Sequence, residues 1–165
     1  THPDTSVLLP PPLSKTIHAT GGENYEYGRF TDTAPIIGED PDDQTTGRNL
    51  VIGVAAGGAA VAYPFEEVKA AGVVNDVVGQ TPVVVAVGSA GTLVAYERQV
   101  DGDTLRFHLE DERTLAAGGS RWLVGRGLAV DGPYEGTTLR RANDLPPLFQ
   151  FAWMDFHPNS RIYEQ

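Results

Sequence analysis

The chain has 165 residues, a formal net charge of −10 and no cysteine. That length suits one domain with a single core, and the absence of cysteine excludes thiol nucleophiles, disulfides and Cys-ligated metals. The acidic charge argues against nucleic acids and anionic membranes as partners, because binding to phosphates needs a basic patch, and it fits the solvated surface of a protein from a salt-adapted organism.

No stretch of the sequence approaches the roughly 20 apolar residues that a transmembrane helix requires. We therefore expect a soluble chain that does not insert into a membrane. The sequence starts at Thr1 rather than at a Met, which is expected either after processing that removes a signal or anchor or where the chain is a piece of a longer protein. An extracytoplasmic location is the corresponding expectation.

Residues 1–48 are rich in turn-forming residues. Three prolines at positions 10–12 fix φ and remove backbone donors, so this stretch must run extended. The acidic stretch at 39–47 lacks the central Gly and distal Glu of a calcium loop, which favours a solvated loop. We predict an extended Pro/Gly-rich segment over 1–48 that packs on a mainly β domain over 49–165.

Two strand pairs are predicted between residues 49 and 100. Apolar runs of β character flank Gly57-Gly58 and again flank the Gly-Ser-Ala-Gly turn at 88–91, and both patterns indicate hairpins. Between the two pairs, residues 66–71 predict a short helix that ends at Gly72.

A third hairpin is predicted around Asp101-Gly102, the favoured residue pair for a type I′ turn. A two-residue turn sets the register, so Val100 should face Asp103 and His108 should lie opposite the core. The further pairs expected are Arg98–Leu105, Tyr96–Phe107 and Val94–Leu109 on the core side and Glu97–Arg106 on the other side.

Arg98 is the charged member of that core-facing side. An unpaired buried guanidinium costs several kcal/mol, so Arg98 needs a carboxylate or a carbonyl. Asp76 also lies in an apolar stretch, and we predict that the two residues pair. The alternative is that Arg98 lies at the sheet edge and reaches water.

The last third of the chain predicts short strands with Gly turns and then one helix. Phe149, Trp153 and Phe156 recur at i, i+4 and i+7, which is one face of a helix that Pro158 ends. Such a stripe is typical of core packing. Together the elements predict a mainly β fold, a single-domain barrel or sandwich of short antiparallel strands with one or two short helices.

The sequence carries no strong catalytic or metal motif. The four histidines are His2, His18, His108 and His157. None has the spacing of HExxH. Ser89 is not centred in a GxSxG motif, and a predicted strand follows it where a nucleophile elbow has a helix. We predict no catalytic residue, no metal site and no cofactor.

Seven segments in order resemble the uncharacterised domain of unknown function family 3179: AYPF, VVNDVVGQTPVVVAV, GTLVAYERQVDG, LRFHLED, GSRW, GLAVDGPYEGTTL and FAWMDFHPNSRIY. The resemblance covers roughly residue 49 to the end. In that family a Tyr-Cys-Pro-Leu-Cys-Gly-Thr type segment is usual where this chain has VAVGSAGT. Val87 and Ala90 therefore stand at the cysteine positions. Without these cysteines, this chain cannot perform thiol redox chemistry or bind soft metals through thiolates.

Six residues match the family pattern and form a candidate pocket or structural polar set: Tyr63, Asn75, Asp76, Thr92, Arg98 and Trp122. The resemblance assigns no role to any of them. We treat the six as one set because they share the family pattern.

The phrase HPDTSVL at 2–8 recurs as HPNSRIY at 157–163. The resemblance offers a reason, because members similar to salt-loving archaeal proteins carry two tandem copies, each with an aromatic helix and this phrase at its end. On that hypothesis the first phrase is the tail of an earlier copy, followed by a Pro linker. An N-terminal sister domain is then the expected partner.

The expected function is that of a non-catalytic β domain, a structural or ligand- or partner-binding repeat of a larger extracytoplasmic protein. The alternative is an enzyme, or a metal or redox module, that uses a polar pocket around Asp76 and Arg98. An enzyme predicts a cleft with a perturbed carboxylate, whereas a metal module predicts neighbouring histidines, first of all His2 beside His157.

Overall fold

A computed structural model describes residues 49–165, apart from the side chain of Ala90. The predictions for the extended segment, the acidic loop, His2 and His18 lie outside the described residues. The domain division between residues 48 and 49 stays a prediction.

The described chain is mainly β. Its strands are β1 (Leu50–Ala56), β2 (Ala59–Pro64), β3 (Val73–Val78), β4 (Thr81–Gly88), β5 (Thr92–Glu97), β6 (Gln99–Val100), β7 (Asp103–Thr104), β8 (His108–Asp111), β9 (Thr114–Ala117), β10 (Ser120–Leu123), β11 (Leu128–Ala129), β12 (Leu148–Phe149) and β13 (Arg161–Ile162). Its helices are α1 (Phe65–Ala71) and α2 (Gln150–Phe156), and 3₁₀ turns occupy Ser89–Gly91 and Gly132–Tyr134.

The strands form four small sheets, in the orders β12-β1-β2-β13, β3-β4-β5, β11-β10-β9-β8 and β6-β7. Neighbouring strands are antiparallel except for β13, which runs parallel to β2. The described sheets do not close into a barrel, and the fold is sandwich-like. The prediction of a barrel or sandwich of short strands with two short helices is confirmed in its sandwich form.

The β3-β4-β5 sheet is buried on both faces. Val84 and Ala86 of β4 pack in one hydrophobic cluster with residues of β9 and β10, whereas Val83 and Val85 pack in another with residues of β1 and β2. A strand covered on both faces reads as a continuous apolar run, which is the reason for the sequence PVVVAV. The other two large sheets therefore cover this central sheet from opposite sides.

The hairpin and helix signals of the first half are confirmed. Gly57 and Gly58 have φ values of 55° and 80° at the β1–β2 turn, where Ala56 pairs with Ala59. Helix α1 ends at Gly72, whose φ is 74°. Left-handed backbone of this kind favours glycine.

The Asp101-Gly102 turn forms as predicted, but its strands soon separate. Val100 pairs with Asp103, and Leu105 donates its N–H to Arg98 O at 2.8 Å. Beyond that point the predicted Tyr96–Phe107, Val94–Leu109 and Glu97–Arg106 pairs are wrong. A segment from residue 140 to 142 lies beside β5 instead: Tyr96 bridges to Arg141, and Glu97 donates its N–H to Arg140 O at 2.9 Å.

The predicted core side of this hairpin is correct for four of its apolar residues. Val94, Tyr96, Leu105 and Phe107 are buried. Leu109 is 41% exposed, so its assignment to the core is wrong. His108 is exposed, as predicted.

The aromatic helix is confirmed, although only its middle aromatic residue is buried. Trp153 is 3% exposed, whereas Phe156 is 73% exposed. Phe149 is half-buried and precedes the first helical turn as the N-cap residue. The helix ends at Phe156, two residues before Pro158.

Candidate functional site

Asp76 lies at the centre of the largest polar cluster among the candidate residues. Its Oδ2 accepts a hydrogen bond from Tyr63 Oη at 2.9 Å and forms an ion pair with Arg161. Its Oδ1 accepts the N–H of Val77 at 2.8 Å. Burial disfavours the charged carboxylate, but the hydrogen bonds from Val77, Arg161 and Tyr63 outweigh it and hold the pKa of Asp76 below its usual value.

Tyr63 is held in its protonated form by the same cluster. Its side chain is fully buried in β2, and burial first, then the neighbouring Asp76 charge, raises the pKa of its hydroxyl far above the usual value. The ring packs against Tyr163 with centroids 5.7 Å apart. Tyr63 therefore acts as a hydrogen-bond donor to Asp76.

Arg98 contacts Asp76 through the backbone and not through the carboxylate. Its Nε donates to Asp76 O at 3.4 Å, and its Nη1 donates to Leu105 O at 2.9 Å. Side chains of a strand alternate between faces: Asp76 faces β2 and β13, whereas its neighbour Asn75 faces the side where Arg98 lies. The predicted Arg98–Asp76 pair is therefore limited to a contact with the backbone carbonyl of Asp76, and the Asp76 carboxylate takes Arg161 as its ion partner.

Asn75 holds an extended stretch of chain against the edge of β3. Its Nδ2 donates to Phe107 O at 2.9 Å, while its Oδ1 accepts the N–H of Phe107 at 2.8 Å. The carboxamide thereby takes the place of a paired strand residue, with one donor and one acceptor. These two hydrogen bonds anchor Phe107, which is 0% exposed, in the core.

Thr92 and Trp122 do not join the Asp76 cluster. Thr92 is exposed at the start of β5 and donates to Ser89 O at 3.2 Å, about 20 Å along the strand from Arg98. Trp122 is fully buried, and its Nε1 donates to Ala117 O at 3.1 Å. The structure thus brings Tyr63 to the Asp76 side chain on one face of β3, whereas Asn75 and Arg98 bond the Leu105–Phe107 stretch on the other side.

Arg161 is the cluster member that sequence reasoning missed. It lies 85 residues from Asp76 in the chain and inside the repeated phrase, where the first copy of the phrase has Ser6. The only available signal was that Arg161 is the sole cation of the phrase HPNSRIY.

The phrase HPNSRIY forms the exit from α2 and the start of β13. His157 donates its N–H to Trp153 O at 2.9 Å and its ring lies 4.0 Å from the Trp153 ring. Ser160 Oγ accepts the indole N–H of Trp153 at 2.8 Å, and Ile162 then pairs with Ala62 of β2. His157 therefore closes the helix and leads into a strand.

We predict that Ser160→Ala lowers the free energy of unfolding by about 1–2 kcal/mol, because the half-buried indole N–H of Trp153 loses its acceptor. Ser160→Thr keeps the hydroxyl and reproduces Thr5, the corresponding residue of the first phrase. The Thr variant should stay close to the wild type in urea denaturation. Equal losses for Ala and Thr would mean that the hydroxyl is not the group that matters.

Acid should weaken the Asp76 cluster. Because the folded-state pKa of Asp76 is depressed, ionisation stabilises the fold above the unfolded pKa of about 3.9, and this contribution is lost as the pH falls through the folded value. Asp76→Asn should be less stable than the wild type at neutral pH and should lose stability less steeply in acid. Urea unfolding measured from about pH 7 down to about pH 2.5 tests this, and parallel curves would contradict it.

The described part of the chain was also searched for a metal-ion site and for a membrane-spanning helix. Among residues 49–165, no group of three or more His, Asp or Glu side chains is placed to hold a metal ion. Neither helix within 49–165 is long and apolar enough to cross a bilayer.

One protein family, described as Protein of unknown function (DUF3179), has a model that matches residues 1–160. The chain belongs to the DUF3179 family. The DUF3179 match also takes in residues 1–48, so it is wider than the resemblance seen in the sequence segments. No curated protein and no solved structure matches the chain.

In this DUF3179 member, the hydrogen bonds of the Asp76 cluster determine which groups could react or bind. The Asp76 carboxylate is ionised and accepts three hydrogen bonds, the Tyr63 hydroxyl remains a donor, and Arg98 bonds two backbone carbonyls. Such groups join β2, β3 and β13 with the chain around Leu105. The cluster therefore acts as a clamp between strands.

Proposed function

We propose that this DUF3179 chain is a non-catalytic β domain that serves as a structural, partner-binding repeat. One observation carries the proposal: the polar groups of the candidate set are engaged within the fold. Asn75 is bonded to Phe107, Trp122 to Ala117, and Arg98 to two carbonyls. A catalytic group needs a free donor, acceptor or nucleophile directed at a substrate.

The alternative, an enzyme or a metal or redox module around Asp76 and Arg98, has less support. A general acid at neutral pH would need a raised carboxyl pKa, whereas the hydrogen bonds of Asp76 lower its pKa. The half-exposed Arg161 guanidinium pairs with the Asp76 carboxylate. Hydrolysis or redox activity that disappears in Asp76→Asn while the fold persists would favour this alternative.

The proposed partner is an N-terminal sister domain in the same protein. Three of the chemical types that the two phrases share have a structural use at the exit of α2: the ring of His157 lies on Trp153, the hydroxyl of Ser160 accepts the indole N–H, and Ile162 adds to a sheet. The first phrase, HPDTSVL, offers His2, Thr5 and Val7 at the same positions. It is thus chemically suited to close a second aromatic helix.

The tandem proposal makes a specific prediction about the sequence upstream of His2. Trp153 precedes His157 by four residues, so a Trp or another aromatic residue is expected four residues before His2, at the end of an upstream copy of the domain. The proposal further places both copies outside the cytoplasm of a halophilic archaeon. A full-length gene without an upstream copy would remove the sister domain.

A protein experiment tests whether the sister domain is a partner and not only a neighbour in the gene. In the full-length protein, a protease site is introduced into the Pro linker at residues 10–12, and the cut protein is examined by native mass spectrometry and gel filtration. The two halves are expected to stay associated after cleavage. Separation at micromolar concentration would reject the partner role.

A further inference from the structure

A cavity of about 320 Å³ lies between α1, the 3₁₀ turn and β8. Its apolar lining includes Phe65, Val87 and Leu109, and its polar lining includes Lys69 and Glu112. This volume is within the range of small-molecule sites, which combine mainly apolar walls with a few polar groups. The cavity shares no residue with the Asp76 cluster.

The exposure of Leu109 is explained by this cavity. Leu109 was expected in the core, yet it is 41% exposed and forms part of the cavity wall. A Cβ added to Gly72 would lie 3.3 Å from Leu109 Cδ2, so the side chain fits closely against the end of α1. Leu109 and Gly72 therefore form one closely packed wall of the cavity.

The opposite side of the cavity is held by the main chain. Ser89, at the start of the 3₁₀ turn, donates its N–H to Glu112 O at 2.7 Å. This bond joins the turn after β4 to the turn after β8. The rim is thus tied together before any ligand arrives, which lowers the entropic cost of binding.

Two residues of opposite charge line the same cavity. Lys69 Nζ lies 5.8 Å from the centroid of the Phe65 ring, and Glu112 lies on the β8–β9 turn. Among the described residues, neither Lys69 nor Glu112 forms an ion pair. A ligand that carries both an anion and a cation would complement the two charges, and an apolar group on it would complement the walls.

We propose that this cavity binds a free apolar α-amino acid. The carboxylate of the ligand pairs with Lys69, its ammonium pairs with Glu112, and its side chain lies against Phe65, Val87 and Leu109. The site does not depend on the sister domain, because every lining group that the structure describes comes from residues 65–112.

The test follows the backbone amide signals of the chain by NMR during titration with three probes. L-Phenylalanine carries both charges, phenylacetate only the carboxylate and phenethylamine only the ammonium. Saturable shifts are expected at Ser89, Leu109 and Glu112, with L-phenylalanine binding about three- to tenfold more tightly than either half-molecule. No saturable shift with any probe up to about 10 mM would overturn the proposal.

Two variants separate binding in the cavity from binding elsewhere. Val87→Phe should fill the cavity and abolish the shifts, whereas Val77→Phe adds the same group at an exposed position of β3, 48% exposed, and should leave them unchanged. Lys69→Glu should make phenethylamine a better probe than phenylacetate. Unaltered binding by both Val87→Phe and Lys69→Glu would contradict the site.

Discussion

Gly53→Ala should destabilise the protein by about 3 kcal/mol, a large effect for one added methyl group. Gly53 is buried in β1, and a Cβ at this position would lie 2.2 Å from two ring carbons of Trp153. The ring cannot easily move aside, because His157 stacks on it and Ser160 holds its N–H. Either the strand or α2 must shift, and urea denaturation measures the loss.

Gly125→Ala is the matched control for this prediction. No heavy atom outside its chain neighbours lies within 4 Å of a Cβ added to Gly125, and its φ is not positive. The control should therefore stay within about 0.5 kcal/mol of the wild type. Similar losses at both positions would show that the ring contact is not responsible for the loss at Gly53.

A double variant identifies the partner of the clash. Trp153→Ala alone should cost about 3–5 kcal/mol, because a large buried ring is lost. In that background the added methyl of Gly53→Ala meets empty space, so its further cost should fall close to zero. Additive losses would contradict the proposed contact, since residues in contact do not act independently.

The sequence predicted those parts of the fold that depend on a few neighbouring residues, namely tight turns, a helix end and a buried strand. Gly57-Gly58 and Asp101-Gly102 adopt the positive φ values that tight hairpin turns need, and Gly72 ends α1. The unbroken run PVVVAV predicted a strand, and its burial on both faces explains why the run does not alternate. These features depend on a few neighbouring residues.

The strand pairing predicted from the sequence is wrong where a distant segment pairs with the same strand edge. Tyr96 was expected to face Phe107, but Arg141 takes its edge position from more than 40 residues away. Once β5 is occupied, the chain after Leu105 is free to bond Asn75 instead. Turn chemistry sets a register only until another strand offers better pairing.

The Asp76 cluster shows the same limit for the candidate site. Tyr63, Asp76 and Arg98 were grouped by a shared family pattern, and the structure does place them together. Their bonding could not be predicted, because it depends on which face of β3 each side chain occupies. Arg161 reaches Asp76 only through the parallel pairing of β13 with β2, and no local motif encodes that pairing.

Asn75→Asp should destabilise the protein by about 2–3 kcal/mol at neutral pH, although the side chain keeps its shape. The carboxylate can still accept the N–H of Phe107, but Phe107 O loses its donor and faces a negative oxygen instead. Asn159→Asp makes the same chemical change at an exposed position where the first phrase already has Asp4, and it should be nearly neutral.

The pH dependence of Asn75→Asp distinguishes the lost hydrogen bond from a general packing defect. When the carboxyl group that this substitution introduces is protonated, it can donate to Phe107 O as the carboxamide does. The folded state should therefore favour the protonated form and raise the pKa of that carboxyl above the unfolded value of about 3.9. The deficit relative to the wild type should be small below that pH and should grow as the pH rises through the folded pKa. Urea unfolding of both proteins across this range tests the argument, and a deficit independent of pH would show that the Asn75 amide is not the donor that holds Phe107 in the core.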